Sequence, residues 1–308
     1  MDIFLQQLIN GLVLGSIYAL VALGYTMVYG ILELINFAHG EVAMIGAMVC
    51  LAVANTLLAQ AGLPAAAVLG IGLLAAIGVC ALLGFTIERI AYRPLRRAPR
   101  LAPLITAIGV SIVLQNIAMM IWGKQYIPFP ALLTATPLHV GGATVTDVQI
   151  GIMLLSALMM AALVLLVQKT KLGRAMRATA QSPEVAGLMG VNTNHVISLT
   201  FVIGSALAAI AGVMVSAYYG IAHYYMGFLL GLKAFSAAVL GGIGNIAGAM
   251  LGGLLLGVIE SLGAGYIGPL TGGVLGSNYQ DVFAFFVLIL VLVFRPSGLL
   301  GERVVERA

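Results

Sequence analysis

The chain has 308 residues, 62% hydrophobic and 8% charged, with a formal net charge of +4. Soluble domains carry about 25% charged and about 45–50% apolar residues. Fourteen basic and ten acidic side chains cannot build a water-exposed surface over this length. That excludes a soluble globular protein and leaves an integral membrane protein surrounded by lipid.

A membrane helix needs about 20 residues, at about 1.5 Å each, to cross a core of about 30 Å. Such runs fall at about 5–30, 37–60, 65–88, 101–123, 148–168, 196–218, 228–243, 246–268 and 280–295. Helices are expected throughout, because open sheet edges do not survive in lipid. The alternating short segments of a membrane barrel are absent. The first run is preceded by Asp2 and by no Lys or Arg. A cleaved leader begins basic, so this run is read as a span, with the chain mature from Met1. It leads into LINFAHGEVAMIGA, residues 34–47, where Asn36, His39 and Glu41 interrupt an apolar stretch and Glu33 stands just ahead. Asn36 can cap the second helix, and Glu41 falls near its positive end. Capping leaves His39 unexplained, and the block reads as a broken helix. Cys50 and Cys80 lie in apolar runs without metal-ligand spacing, as small buried hydrophobes do.

Arg89, Arg93, Arg96, Arg97 and Arg100 follow the third run, and the Pro- and Gly-rich segment 124–147 follows the fourth as a small cap. Segment 169–195 begins with Lys169, Lys171, Arg174 and Arg177 and continues through Ser182-Pro183-Glu184. Ser182 can cap a short helix with Pro183 at its first position and Glu184 near its positive end. Val185, Ala186, Leu188 and Met189 then form an apolar face suited to a membrane surface or a partner's groove. The alternative is a solvated loop. The runs at 228–243 and 246–268 are joined through Gly244 and Asn245, too little for an ordinary loop.

Twelve of the fourteen basic residues fall in 89–100, in 169–177, or among Arg295, Arg303 and Arg307. Clusters beside apolar runs mark cytoplasmic loops, and no nucleic-acid partner is expected. The N-terminus is then outside and the C-terminus cytoplasmic. An all-α, polytopic single domain over 1–308 follows, with about eight or nine transmembrane helices, some of them discontinuous.

Five ionisable residues are expected inside the membrane: Glu33, His39, Glu41, Lys233 and Glu260. Each costs about 2.5–3.5 kcal/mol on insertion scales and belongs in a bundle interior or a wet cavity. Lys233, in FLLGLKAFSAAVL, needs an acidic partner such as Glu41 or Glu260. The pair either serves a transport path or only fixes helix register. Asp281 reads as an interfacial helix-start residue. Two blocks share one grammar, an apolar helix, a Gly/Asn break and a second helix rich in small residues: one around 34–41, the other around Asn245. Interrupted spans point to a transport pathway, which makes Asn36, His39, Glu41, Lys233 and Asn245 its candidate residues. Both breaks fall at the inner side, so an inverted repeat is not established. Pairs such as Gly11/Gly15 and Gly253/Gly257 predict close helix packing.

Enzyme readings find little support. No P-loop, HExxH or G-x-S-x-G is present. GIGNIA (242–247) fits a loose dinucleotide fingerprint, but without the soluble βαβ unit that it needs.

The blocks GLVLGSIYALVALGYTMVYGILELINFAHGEVAMIGA, IERIAYRPLR, GRAMRA…GLMGVN, LTFVIGSALAAIAGVM and LKAFSAAVLGGIGNIAGAMLGGLLLGVIE occur in this order. Together they resemble the LivH-type permease subunits of bacterial branched-chain amino acid ABC importers, from about residue 5 to 300. The resemblance implies the helical bundle shared with sugar and vitamin B12 permeases and an inner-membrane location. It implies no cofactor and no enzymatic activity, ATP hydrolysis lying on separate subunits. Implied partners are a second, homologous permease, two cytoplasmic ATP-binding subunits and a periplasmic amino-acid-binding protein. Within 169–195, residues 178–191 would be the coupling helix docked on the ATPase. Glu184, Ala186 and Gly190 sit at positions like the family's loop motif, with Arg174 and Arg177 upstream. Leucine, isoleucine, valine or related amino acids would be the cargo. The competing readings are an ion-coupled secondary transporter and a non-transporting membrane scaffold.

Overall fold

A computed structural model describes residues 2–60, 63–96, 98–99, 101–132, 136–140, 142–274 and 276–301; Arg97, Arg100, Arg303 and Arg307 lie outside them. Nine apolar helices carry the fold among the described residues: α1 (Asp2–Leu32), α2 (His39–Gln60), α3 (Ala65–Ile87), α4 (Leu101–Trp122), α5 (Asp147–Lys169), α8 (Thr193–Tyr219), α9 (Met226–Gly241), α10 (Ile246–Leu270) and α11 (Gln280–Phe294). Two further helices, α6 (Lys171–Gln181) and α7 (Pro183–Leu188), lie between α5 and α8. Seven of the nine are long and apolar enough to cross a membrane; α9 and α11 are shorter, at 16 and 15 residues. The expected boundaries agree with the observed ones to within about three residues.

The core is built on α1, whose most apolar window is 94% buried. Small residues make this possible, because a helix can be enclosed only where its neighbours' backbones come close. Antiparallel α10 lies against it: a Cβ on Gly11 would stand 2.6 Å from Val258 Cα, and one on Gly15 2.7 Å from Leu254 Cα. Gly253 and Gly257 meet Ala19 and Gly15 from the other side. α2, α5, α8 and α9 complete the shell around α1, while α3 and α4 pack farther out and keep many apolar side chains exposed.

The short connection between α9 and α10 is a turn made by backbone conformations open to glycine. Gly242 and Gly244 have φ of 107° and 94°, a region that L side chains rarely adopt. Asn245 then caps α10, its Oδ1 accepting from Gly248 N at 3.0 Å. Residues 299–300 close over this turn, with Leu299 N and Leu300 N donating to Leu240 O and Gly241 O.

Helicity is not complete outside the bundle. Two small antiparallel ribbons sit at the end opposite the basic stretches: β1 (Ile127–Pro128) with β4 (Ile221–Ala222), and β2 (Pro137–Val140) with β3 (Ala143–Thr146). The reason is local: beyond the apolar runs water can satisfy ribbon edges, which lipid cannot. The Gln6 side-chain amide ties the second ribbon to α1, donating to Thr144 O at 3.0 Å and accepting from Thr144 N at 2.8 Å.

Candidate functional site

Polar side chains inside the bundle form two separate nests. The first surrounds the 33–38 break. α1 runs on to Leu32, yet His39, where α2 begins, lies beside Gly24 and packs its ring on Tyr25 at 4.9 Å. Residues 33–38 therefore climb back along α1 by roughly 12 Å, at 1.5 Å per helical residue. This is an extended return strap, and the expected broken helix is corrected to that extent. Glu33 begins it with φ 52°. Asn36 does not cap α2 in the expected manner. Its Oδ1 accepts from Ala38 N at 3.2 Å and from the Tyr92 hydroxyl at 3.2 Å, and Tyr92 also bonds Ile35 O at 3.3 Å. A buried strap needs such partners because its backbone lacks a helix's internal bonds.

Glu41 stands in the first turn of α2, 1% exposed. Its Oε1 accepts from Gln115 Nε2 at 2.7 Å and Ser111 Oγ at 3.2 Å, both on α4. Gly227 and Gly231 of α9 pack against Gly40 and Glu41, where side chains would collide. Each of the three is enclosed, His39 between α1 and α8, Glu41 between α4 and α9, and Asn36 against Tyr92.

The second nest belongs to Lys233. Its Nζ donates to Glu260 Oε1 at 2.7 Å and lies 3.5 Å from the Tyr18 hydroxyl. Asp281 Oδ1 is 2.8 Å away, an ion pair off the hydrogen-bond direction. Of the two acids expected for Lys233, Glu260 is the partner and Glu41 is not. Asp281 does open α11, as expected, but it also reaches Lys233. The signal for that contact was only the position of Asp281 at a helix start.

Two cavities lie at opposite ends of the bundle. One, about 250 Å³, is lined by Tyr18, Lys233, Val215, Tyr219, Leu229 and His223 among others, at the end bearing the ribbons. The other, about 970 Å³, opens at the basic end between Tyr29, Glu33, Gln168, Arg177, Asn245 and Ser297. Asn245 thus combines capping with a place at a cavity wall. Both chain breaks border that cavity, the first through Glu33 and the second through Gly244 and Asn245.

At the basic end, Thr170 caps α6, its Oγ1 accepting from Gly173 N at 3.0 Å, and Ser182 caps α7, accepting from Val185 N at 3.3 Å. α6 was hidden in the sequence as a basic stretch. Of the expected apolar face, Ala186 turns inward and is buried. Val185, Leu188 and Met189 stand 57%, 87% and 80% exposed. Gly190 ends the turn with φ 86°. Arg174 and Glu184 are exposed, whereas Arg177 bends back to Val167 O and borders the large cavity.

Glu88, the last residue of the run at 65–88, was not singled out in the sequence. It is fully buried in a π-helical turn, Glu88–Tyr92, and accepts from Ser198 Oγ at 2.6 Å. Arg93 lies 3.3 Å away and Arg96 also bonds it. Arg96 reaches Asn194 Oδ1 at 2.6 Å, and burial pulls its guanidinium below the ordinary value while Glu88 opposes that shift. The arginine spacing Glu88–Arg93–Arg96 was the available signal.

Comparison with known proteins gives consistent results. The family model described as branched-chain amino acid transport system / permease component matches residues 7–292. The BraD permease protein of Pseudomonas aeruginosa, a high-affinity branched-chain amino acid transport system component, is 50% identical, covering 99% of this chain and 98% of that protein. The LivH permease protein of Escherichia coli is 46% identical, over 99% and 97%. Among solved structures, PsaBC from Streptococcus pneumoniae in complex with Fab matches with a TM-score of 0.46 and 15% identity, over 95% of this chain and 91% of that one. By length, order and identity of the matched sequence, this chain belongs to the family of branched-chain amino acid transport system permease components.

Proposed function

We propose that this chain is the transmembrane permease subunit of an ATP-driven importer that moves branched-chain or related amino acids into the cytoplasm by alternating access. The observation that carries the reading is the α6–α7 tip. A capped helix-turn projects from the basic end and holds Leu188 and Met189 almost bare. Apolar knobs on a rigid polar turn fit the groove of another protein. The partners are a second homologous permease, two cytoplasmic ATP-binding subunits that hydrolyse the ATP, and a periplasmic binding protein.

The orientation follows from the basic clusters: N-terminus outside, C-terminus cytoplasmic, in the bacterial inner membrane. The loaded binding protein docks on the ribbon-bearing face. Closure of the ATPase dimer presses on α7 through Val185, Leu188 and Met189, with Glu184 and Arg174 as polar neighbours. Ala186 and Gly190 shape the turn, and Arg177 relays its movement to the inner cavity. Lys233 and Asn245 border the cavities through which the amino acid passes, while Asn36, His39 and Glu41 form the wall between them. A secondary transporter would need no such tip, and a scaffold would need no cavities.

The test uses Leu188→Asp with Met189→Asp, and separately Glu184→Lys with Gly190→Trp. Both changes lie on an exposed surface with room for them, and the aspartate pair carries the test of normal folding because Gly190→Trp also strains a turn at φ 86°. The permease is expected to fold and insert normally yet to lose copurifying ATP-binding subunits and ATP-driven leucine uptake in proteoliposomes. Wild-type uptake by both variants would overturn the coupling role. Uptake by the permease without ATPase subunits would favour the secondary transporter.

A further inference from the structure

Only residues 189–192 join the α6–α7 tip to α8, and that connection is stiff. Gly190 N donates to Gly187 O and Val191 N to Ala186 O, both at 3.0 Å, the paired bonds that close a helix over a left-handed glycine. Asn192 then caps α8, its Oδ1 accepting from His195 N at 3.1 Å. A displacement of α7 therefore arrives at the first turns of α8. Those turns are fastened to the link between α3 and α4. Ser198 Oγ donates to Glu88 Oε2 at 2.6 Å and accepts from Arg93 Nη2 at 3.1 Å. Asn194 Oδ1 accepts from Arg96 Nη1 at 2.6 Å. Three ties thus bind the start of α8 to a fully buried carboxylate and its two arginines.

We infer that the Glu88 cluster is a clamp that makes the α3–α4 link follow α8 when the tip is pressed. Glu88, Asn194 and Ser198 are then positioning residues for the coupling of ATP hydrolysis to transport. The chemistry of the cluster favours this over plain cohesion. Ions lose their hydration on burial, and apolar packing of similar volume often holds helices at least as firmly. What charged and hydroxyl groups add is direction, each donor being fixed on one acceptor. A slide of α8 by one residue, about 1.5 Å, would break all three ties at once. The two elements therefore move as one body. The link is itself π-helical over Glu88–Tyr92, a departure from the α-helix that is frequent at functional sites. Beyond it, α4 carries Ser111 and Gln115, the donors to Glu41, so a movement of the link reaches the polar nest at the start of α2. The inference rests on the importer reading and adds which side chains carry the movement of the tip into the bundle.

Asn194→Ala with Ser198→Ala cuts the three ties and leaves Glu88 bonded to Arg93 and Arg96, so no buried charge is stranded. Asn194 is exposed and Ser198 loses only a hydroxyl. The test uses the complete complex in proteoliposomes, with its ATP-binding subunits and binding protein, and reads leucine imported per ATP hydrolysed. The variant is expected to fold, to copurify with the ATP-binding subunits and to hydrolyse ATP at the wild-type rate, while leucine imported per ATP falls several-fold. Restoring the Arg96 bond alone, in Asn194→Asp with Ser198→Ala, is expected to recover most of that ratio. A merely cohesive cluster would lower the melting temperature and leave the ratio unchanged. A wild-type ratio in the double-alanine variant, a fall of ATP hydrolysis in step with uptake, or no recovery with aspartate would each overturn the clamp. Each of these, seen beside ATP-driven uptake by the unmodified complex, removes the clamp and leaves the importer standing. No uptake by the unmodified complex removes the importer and the clamp with it.

Discussion

The two polar nests differ in what encloses them. Around Asn36, His39 and Glu41 every neighbour is a packed helix or the strap itself, and the three side chains are 1–3% exposed. Around Lys233 the cluster abuts a cavity, and Asp281 keeps 37% of its side chain exposed. In the first nest hydrogen bonds tie the strap to Tyr92 and Glu41 to α4. In the second, Lys233 is held by Glu260, Asp281 and the Tyr18 hydroxyl. Polarity in this bundle therefore has two settings: one nest is enclosed by packed helices, and the other stands beside a cavity.

The comparison can be broken most severely at Gly24. A Cβ there would land on the His39 imidazole. Gly24→Val is expected to expel the strap and prevent folding, read as loss of the monodisperse peak in detergent. A well-folded Gly24→Val protein would show that the first nest is not closed.

Lys233→Met comes next. It strands the buried Glu260 carboxylate, with the partly exposed Asp281 beside it, and breaking a buried pair costs about 3–5 kcal/mol. Adding Glu260→Gln and Asp281→Asn removes the stranded charge, so the triple variant is expected to regain most of its thermal stability while leucine uptake stays lost. Recovery of uptake along with stability would reduce the cluster to a register pin.

Tyr92→Phe should act on the fold alone. Its hydroxyl holds Asn36 Oδ1 and Ile35 O, and loss of an ordinary hydrogen bond costs about 0.5–1.5 kcal/mol. A lowered melting temperature with leucine uptake per folded molecule unchanged is the expected result.

Much of this arrangement was legible in the sequence because lipid enforces it. Apolar length located all nine helices, and the Ser182-Pro183-Glu184 cap located α7. The expense of a charge in hydrocarbon called for an acid beside Lys233, with Glu41 and Glu260 both open, and Glu260 is the one that meets it. What could not be read is what depends on tertiary meeting. That His39 returns to the level of Gly24 follows from strap length and a glycine gap on another helix. Glu88 stood out little at the end of an apolar run, and only the fold shows Arg93 and Arg96 as its counter-charges. The split of the five candidate pathway residues among a closed nest, an open one and a helix cap also lay beyond spacing. Residues 36 and 233 have the same kind of apolar neighbours in the chain and different neighbours in space.

The smallest expected effect decides the most. In Glu41→Gln the side-chain oxygen can still accept from Gln115 and Ser111, and an amide NH2 replaces Oε2, which has no donor among the described residues and stands against Gly227. Shape and both bonds survive, so the change in stability should stay within about 1 kcal/mol. If the first nest serves only the fold, leucine uptake by Glu41→Gln equals wild type. If uptake falls while the melting temperature holds, the charge on Glu41 matters where the hydrogen bonds do not. Enclosure in this one conformation would then be temporary, with α2 and α9 parting at Gly40 and Gly227 during transport. The same carboxylate would belong to the pathway wall in one state and to the cargo's route in the other.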